Sequence, residues 1–318
     1  MKNKITTIFI MSTIGFSAYG YEGPTPLQNI IVDFSGSIDK LSGLYSYSYS
    51  VKNPVSNNGE IHAIRISVSR NPQTDMDLPL SGLSNCRHHS EAAAQRNMAI
   101  TPMVAVGSSV PDGWSCDYQP QGYFSFGSVS ARNRIKPGAS AVGYTLKSKG
   151  PPGIRTIVVE PTIELDLLPA SYNENVEKLV ALEDNVKWTG KTVGPVAPPI
   201  VFVASDYLDY LISLKDQSVA LKWISDKRLE KEFDEIFARA KRKLGGCDQE
   251  ELKEAIEKLP ELVEQKRKGI SSEAKTLLSY NAMYFVSRLP KGSKVERDKC
   301  KKSHHDEREH EDDRKSDR

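Results

Sequence analysis

Three acidic residues near the end of a β-rich half are spaced as metal ligands often are. If the stretch from Ile154 to Leu168 runs extended, Glu160, Glu164 and Asp166 share one face of a strand. Several carboxylate oxygens on one surface suit Ca²⁺. A solvent-facing sheet surface produces the same alternation of acidic and apolar residues, and we favour that interpretation. We therefore predict no metal site and no cofactor.

The histidines are weaker candidates for metal binding. His62 shares a face with Ile64 and Ile66 in a predicted strand, and we expect it to be a packed or edge residue there. The other histidines considered lie in a loop or in a charged tail, without a spaced third ligand: His88, His89, His304, His305 and His310. We predict that none of them is a metal ligand.

Aromatic residues are the main candidates for binding. Trp114, Tyr118 and Tyr123 lie close together in sequence, and aromatic faces can stack on sugar rings. A second aromatic set alternates along one strand: Tyr45, Tyr47 and Tyr49. Aromatic residues that alternate on a strand usually pack in a core or against a neighbouring strand. Carbohydrate binding through Trp114, Tyr118 and Tyr123 is therefore an alternative function rather than the preferred one.

No sequence motif indicates a catalytic reaction. Asp33-Phe34-Ser35-Gly36 misses the aspartic-protease spacing by one residue, and the zinc-protease, dithiol and phosphate-loop motifs are missing. A triad assembled only in space leaves a hydrolase open as a second alternative, with carboxylates such as Glu160 and Asp166 in a cleft. The formal charge is +2, from 43 basic and 41 acidic side chains, which argues against nucleic acid as a partner. We expect a non-catalytic protein whose partner is a protein or a polysaccharide.

The N-terminus predicts export. Lys2 and Lys4 precede an apolar run from Ile5 to Phe16, and Ala18-Tyr19-Gly20 fits the signal-peptidase rule. We expect cleavage near Gly20, a secreted or periplasmic protein, and no transmembrane segment in the mature chain. An oxidising compartment favours disulfides. The simplest pairing joins Cys86 to Cys116 and Cys247 to Cys300, although four cysteines allow three pairings.

Alternating strands and turns organise the first half. Strands are predicted over 44–51, 61–69, 122–131 and 141–147, separated by turn residues such as Asn57-Asn58-Gly59 and Lys136-Pro137-Gly138. This spacing is typical of an antiparallel, immunoglobulin-like β-sandwich. We assign 21–170 to the sandwich and 171–204 to a short helix and a proline-rich linker.

Four amphipathic helices are predicted from 205 to 290. The apolar stripe from Leu229 to Leu244 is the clearest helical period, and Gly245-Gly246 ends it. Pro260 is expected to kink or split the third helix. Short connections favour an up-down four-helix bundle. Residues 291–318 are almost all charged and are predicted to be disordered.

The helical half resembles a known module. The residues that carry the likeness are Leu208-Asp209-Tyr210-Leu211-Ile212, Trp223-Ile224 and Ser272-Glu273-Ala274-Lys275-Thr276-Leu277-Leu278. They are similar to FIMAH-type domains, which follow unrelated β-rich or enzymatic domains in secreted bacterial proteins. The resemblance implies an accessory module and carries over no catalytic residue. The preferred function is a structural or protein-interaction role at the cell envelope or outside the cell.

Overall fold

A computed structural model describes residues 25–39, 41–68, 105–119, 122–173, 175–244, 249–266 and 268–290. The predicted signal peptide and charged tail lie outside these residues. So do Cys86, Cys247 and Cys300, as well as every histidine except His62. Within the described ranges, no helix is long and apolar enough to cross a membrane.

Antiparallel sheets form the N-terminal part, as predicted. The strands of the described residues are β1 Ile31–Asp39, β2 Leu44–Lys52, β3 Ile61–Ser67, β4 Ala105–Ser109, β5 Trp114–Gln119, β6 Tyr123–Ser128, β7 Ser140–Ser148, β8 Pro152–Pro161 and β9 Trp188–Pro195. One sheet has the order β1-β2-β7-β4, and the other has the order β5-β6-β3-β8-β9. Their buried side chains meet in one hydrophobic core.

The tyrosines of β2 belong to this core. Tyr45, Tyr47 and Tyr49 are each at most 5% exposed, whereas the serines between them are half-buried. The Tyr47 hydroxyl donates to the Gly150 carbonyl at 2.7 Å, and the Tyr49 hydroxyl donates to the Val193 carbonyl at 2.8 Å. Their polar tips are therefore satisfied inside the core, as buried hydroxyls must be.

Two boundaries differ from the predictions. The extended stretch from 154 stops at Pro161 and gives way to a 3₁₀ turn, Leu165–Leu167, because proline cannot donate a ladder hydrogen bond. Residues 188–195, predicted as linker, form the edge strand β9, which pairs with β8 from Pro152 to Val159. Because β9 contains mostly small and polar residues, its sequence shows no alternation of apolar and polar residues that would predict a strand.

Helices occupy the C-terminal part, as predicted. Two precede β9, namely α1 Ala170–Asn173 and α2 Val176–Val186, and four follow it: α3 Ala204–Ala220, α4 Lys227–Leu244, α5 Gln249–Gln265 and α6 Ser272–Arg288. The Ser271 hydroxyl caps α6 by accepting from the Ala274 N–H at 3.4 Å. Helix α5 is continuous through Pro260 rather than split. Buried Leu259 and Val263 hold it on either side of the proline.

Helix α6 joins the two parts of the molecule. Leu277 is buried in the core of the sheets, while Leu278, Ala282 and Phe285 are buried in the core of the four C-terminal helices. The Tyr280 hydroxyl donates to the Gly36 carbonyl of β1 at 3.2 Å. A helix that buries opposite faces must carry apolar residues on both. Helix α6 therefore covers the edge of the sheets beside β1 while also packing against its neighbouring helices.

Candidate functional site

A cleft on the outer face of the second sheet gathers ionisable side chains. Ile64 of β3 and Val159 of β8 point into the core, so the alternating Arg65 and Glu160 point outward. The turn after β6 and helix α2 complete the walls. The cleft has a volume of about 350 Å³, near the lower end of known ligand sites.

A β-bulge brings His62 into this cleft. Ile61 pairs with Pro161 and Ala63 pairs with Glu160, so β3 has one residue more than β8 at this point. The extra residue is His62, and a bulge re-aims the side chain that it contains. His62 consequently lines the same cleft as Arg65. Our prediction that His62 shares a face with Ile64 and Ile66 is therefore wrong.

Two arginines hold carboxylates at the cleft. Arg65 Nη2 lies 2.7 Å from Glu160 Oε2. Arg134 Nη1 lies 2.7 Å from Glu164 Oε1 and 3.8 Å from Glu60 Oε2. The Glu164 side chain is half exposed, so the outer pair contributes at most about 1 kcal/mol to stability.

Burial changes the acidity of two groups in the cleft. It raises the pKa of Glu160, although Arg65 opposes the effect; the like charge of Glu183 adds to it. Burial lowers the pKa of His62, and the positive charges of Arg65 and Arg134 act in the same direction. The His62 Nδ1–H donates to the Pro161 carbonyl at 3.0 Å. His62 is therefore a neutral ring at neutral pH, with its proton on Nδ1.

Two polar atoms beside the cleft have no hydrogen-bond partner. Arg65 Nε and Thr162 Oγ1 are both buried and unpartnered, and both residues line the cleft. Buried polar atoms are paired in most proteins. Because neither atom has accessible surface, a molecule in the cleft would bond to them only after a neighbouring side chain moved.

Apolar side chains surround the mouth of the cleft. Leu165 and Leu179 line it, and Leu167, Val176 and Val180 lie beside them in the same turn or on the same helix. The exposed fractions of Leu165, Leu167, Val176 and Val180 are 49%, 54%, 75% and 49%. Clustered exposed apolar residues mark interaction surfaces more often than single ones do.

The aromatic residues predicted for sugar binding do not form an exposed row. Trp114 is buried and packs edge-on against Tyr144, with 5.0 Å between ring centroids. Its indole N–H donates to the Asn133 carbonyl at 3.0 Å. Tyr123 is half-buried. Tyr118 lies in β5, but its side chain is outside the described part.

The acidic residues considered for calcium are held apart. Glu160 is the penultimate residue of β8 and pairs with Arg65. Glu164 lies in the loop after β8 and pairs with Arg134, and Asp166 lies in the 3₁₀ turn. Among the described residues, no three His, Cys, Asp or Glu side chains could hold a metal ion together. Cys116 is buried in β5, and its predicted partner Cys86 lies outside the described residues, so the pairing stays a prediction.

No protein-family model matches this chain, and no curated protein matches it either. The functional candidates are therefore the residues of the cleft and its surroundings. Glu160 was considered from the sequence as a calcium ligand or a catalytic carboxylate, whereas Arg65, Arg134 and Thr162 were not considered. The sequence pattern that accompanies them is a polar residue next to an apolar residue that is buried, which occurs along most strands.

Proposed function

We propose that this protein is an exported, non-catalytic protein with an interaction role at the cell envelope or outside the cell. Its binding surface is the cleft together with the apolar residues at the mouth. One observation carries the proposal: several exposed apolar side chains lie beside a cleft in which the arginines are already neutralised by carboxylates. Such a surface can bind a partner by apolar contact and hydrogen bonds.

The carbohydrate alternative loses its main support. Stacking on a sugar ring requires an accessible aromatic face, and Trp114 is buried. Binding to a polysaccharide would have to use the polar groups of the cleft instead. A glycan array probed with the full chain tests this directly, because a glycan that binds the wild type and not an Arg65→Ala variant would favour the alternative.

A hydrolase is the second candidate, because His62 and Glu160 have shifted pKa values and line one cleft. A general base must also reach a nucleophile or a water molecule. The one side-chain hydrogen bond described for the His62 ring goes to the Pro161 carbonyl, and the backbone of Glu160 also lies within its reach, so the ring faces carbonyl groups rather than a nucleophile. A hydrolysed substrate whose turnover is lost in His62→Gln would establish the enzyme and contradict our preferred function.

Photo-crosslinking tests the interaction role. A photoreactive amino acid placed at Leu165 is expected to form an adduct with a partner in the native compartment. The matched control is Val142, which is 67% exposed on β7 of the other sheet. Adducts at Leu165 alone support the proposal. Equal adducts at both positions, or none at either, contradict it.

We also propose the finer assignments that accompany this function. The two antiparallel sheets support an immunoglobulin-like sandwich. The contacts of α3 with α4, α4 with α5, α5 with α6 and α6 with α3 support an up-down four-helix bundle of FIMAH type. Export with signal cleavage near Gly20 and one disulfide in each half complete the proposal. N-terminal sequencing and mass mapping of the non-reduced mature protein test both, and four free thiols would contradict the disulfides.

A further inference from the structure

We infer that the surface formed by the 3₁₀ turn and helix α2 docks a basic amphipathic helix of a partner protein. We call this surface the α2 surface. It comprises Leu165, Asp166, Leu167, Val176, Glu177, Leu179, Val180 and Glu183. The inference rests on the proposed interaction role and specifies the chemistry of the partner.

The apolar half of the α2 surface has the shape of a helix-binding stripe. Val176 and Val180 are four residues apart on α2, and Leu179 lies beside them, so their side chains are neighbours. Leu179 and Leu165 both line the cleft, so the 3₁₀ turn and the helix border the same opening. From Val176 to Glu183 the helix extends about 10 Å, roughly the length of two turns of a partner helix.

The charged half of the α2 surface is acidic. Residues 160–187 contain seven acidic residues and two lysines, in a chain whose formal net charge is +2. Three of these acids are paired in the structure, namely Glu160 with Arg65, Glu164 with Arg134 and Asp184 with Lys187.

Three further acids among the described residues face solvent without a cation. Within the described ranges, Asp166, Glu177 and Glu183 form no ion pair, and all three are exposed. Glu183 also lines the cleft, where its charge acts against the ionised form of Glu160. A lysine or arginine from a partner would relieve that repulsion, and like charges on a partner would strengthen it.

The same charges disfavour other occupants. An anionic membrane would be repelled by Asp166, Glu177 and Glu183. A second copy of the chain would present the same acidic residues across a two-fold interface, because such an interface joins identical patches. A basic helix satisfies both the apolar and the charged half of the surface.

Binding of two designed peptides tests the inference. Both are 18-residue helices with the same leucine face, and they differ only in carrying lysine or glutamate on the polar face. Each is labelled and titrated with the mature full-length protein, and fluorescence anisotropy is recorded at low and high salt. The lysine peptide is expected to bind at least about tenfold more tightly than the glutamate peptide at low salt, with a smaller difference at high salt.

Two double variants separate the apolar and charged contributions. Val176→Ser/Val180→Ser is expected to weaken binding of the lysine peptide by about tenfold or more at either salt concentration. Glu177→Lys/Glu183→Lys is expected to reverse the preference between the peptides. Matched controls are Val142→Ser on β7 and Glu235→Lys on α4, two exposed positions away from the surface. Both controls are expected to bind like the wild type.

Several outcomes would overturn the inference. The first is that the two peptides bind with equal affinity. The second is that either control substitution weakens binding as much as the double variants do. The third is that the wild type binds to anionic vesicles. Concentration-dependent dimerisation that Val176→Ser/Val180→Ser abolishes would assign the surface to a second copy instead. If the lysine peptide fails to bind while Leu165 still gives a specific adduct, this inference fails and the interaction role stands. If both fail, the interaction role fails as well.

Discussion

Replacing Asn281 with alanine should show how strongly α6 links the two parts of the molecule. Asn281 is fully buried. Its Nδ2 group donates to the Pro152 carbonyl at the start of β8 and to the Leu277 carbonyl, both at 2.8 Å. Its Oδ1 atom accepts from the Tyr207 hydroxyl of α3 at 2.7 Å. One side chain therefore connects a strand with two helices.

The cost of Asn281→Ala follows from these contacts. Two hydrogen bonds between elements are lost at about 1 kcal/mol each, and the loss of the donor to the Pro152 carbonyl in the interior adds a similar amount, for a total of about 2–4 kcal/mol. For a chain of this size the expected decrease in Tm is about 3–6 °C. The matched control is Ser279→Ala on the same helix, because the Ser279 hydroxyl is buried without a partner. That substitution is expected to be neutral or slightly stabilising.

Urea denaturation followed by circular dichroism measures both variants. Asn281→Ala should shift the midpoint of unfolding to lower urea, and Ser279→Ala should leave it unchanged or raise it. If the two variants behave alike, the hydrogen bonds of Asn281 do not stabilise the fold and our reasoning about α6 is refuted.

Three further predictions concern the same framework. A Cβ atom at Gly36 would lie 2.5 Å from the Thr276 methyl group, so Gly36→Ala should destabilise the protein by about 1–3 kcal/mol. Adding Thr276→Ala should recover part of that loss. Strictly additive effects of the two substitutions on the free energy of unfolding would count against this contact. At pH values between the lowered pKa of folded His62 and its ordinary pKa of 6.5, the unfolded chain binds more protons than the folded one. The free energy of unfolding should therefore decrease as the pH falls through this range, by at most about 1.4 kcal/mol per pH unit. His62→Gln should remove that slope in urea titrations, and an unchanged slope would assign it to other groups. Residues 204–290 expressed alone should be helical but should have a lower Tm than the full chain, because Leu214 and Leu277 lose their contacts with the core of the sheets. A circular dichroism spectrum typical of a disordered chain would contradict separate folding of the helical part.

The sequence predicted the elements whose two faces differ. Helix α4 has one apolar stripe, with Leu229, Phe233 and Phe237 buried, and β2 alternates strictly. Strand β9 was missed because Gly190, Gly194 and Pro195 resemble a linker. Its place in the sheet depends on pairing with β8, which a local pattern does not contain.

The candidate site was harder to predict than the fold. The residues of β3 at the bulge, from Ile61 to Ala63, include neither glycine nor proline, and the proline opposite them, Pro161, is 100 positions away in sequence, so no local pattern in β3 indicates the bulge. Arg65 and Arg134 are 69 positions apart in the printed sequence and meet only because β3 and the turn after β6 border the same cleft. Glu160 was identified by its alternation with apolar residues, but the alternation could not show that a strand ends one residue later.

The position of α6 also sets the timing of folding during synthesis. The hydrogen bond between Tyr280 and the Gly36 carbonyl joins residues that are 244 positions apart. At a translation rate of about 5–20 residues per second, about 10–50 s separate the synthesis of Gly36 in β1 from that of Tyr280 in the helix that covers it. From the end of β7 at Ser148 until α6 is complete, the first sheet presents β1 as an unprotected edge strand. A chaperone that shields strand edges is therefore expected to raise the yield of this protein more than one that accelerates helix formation.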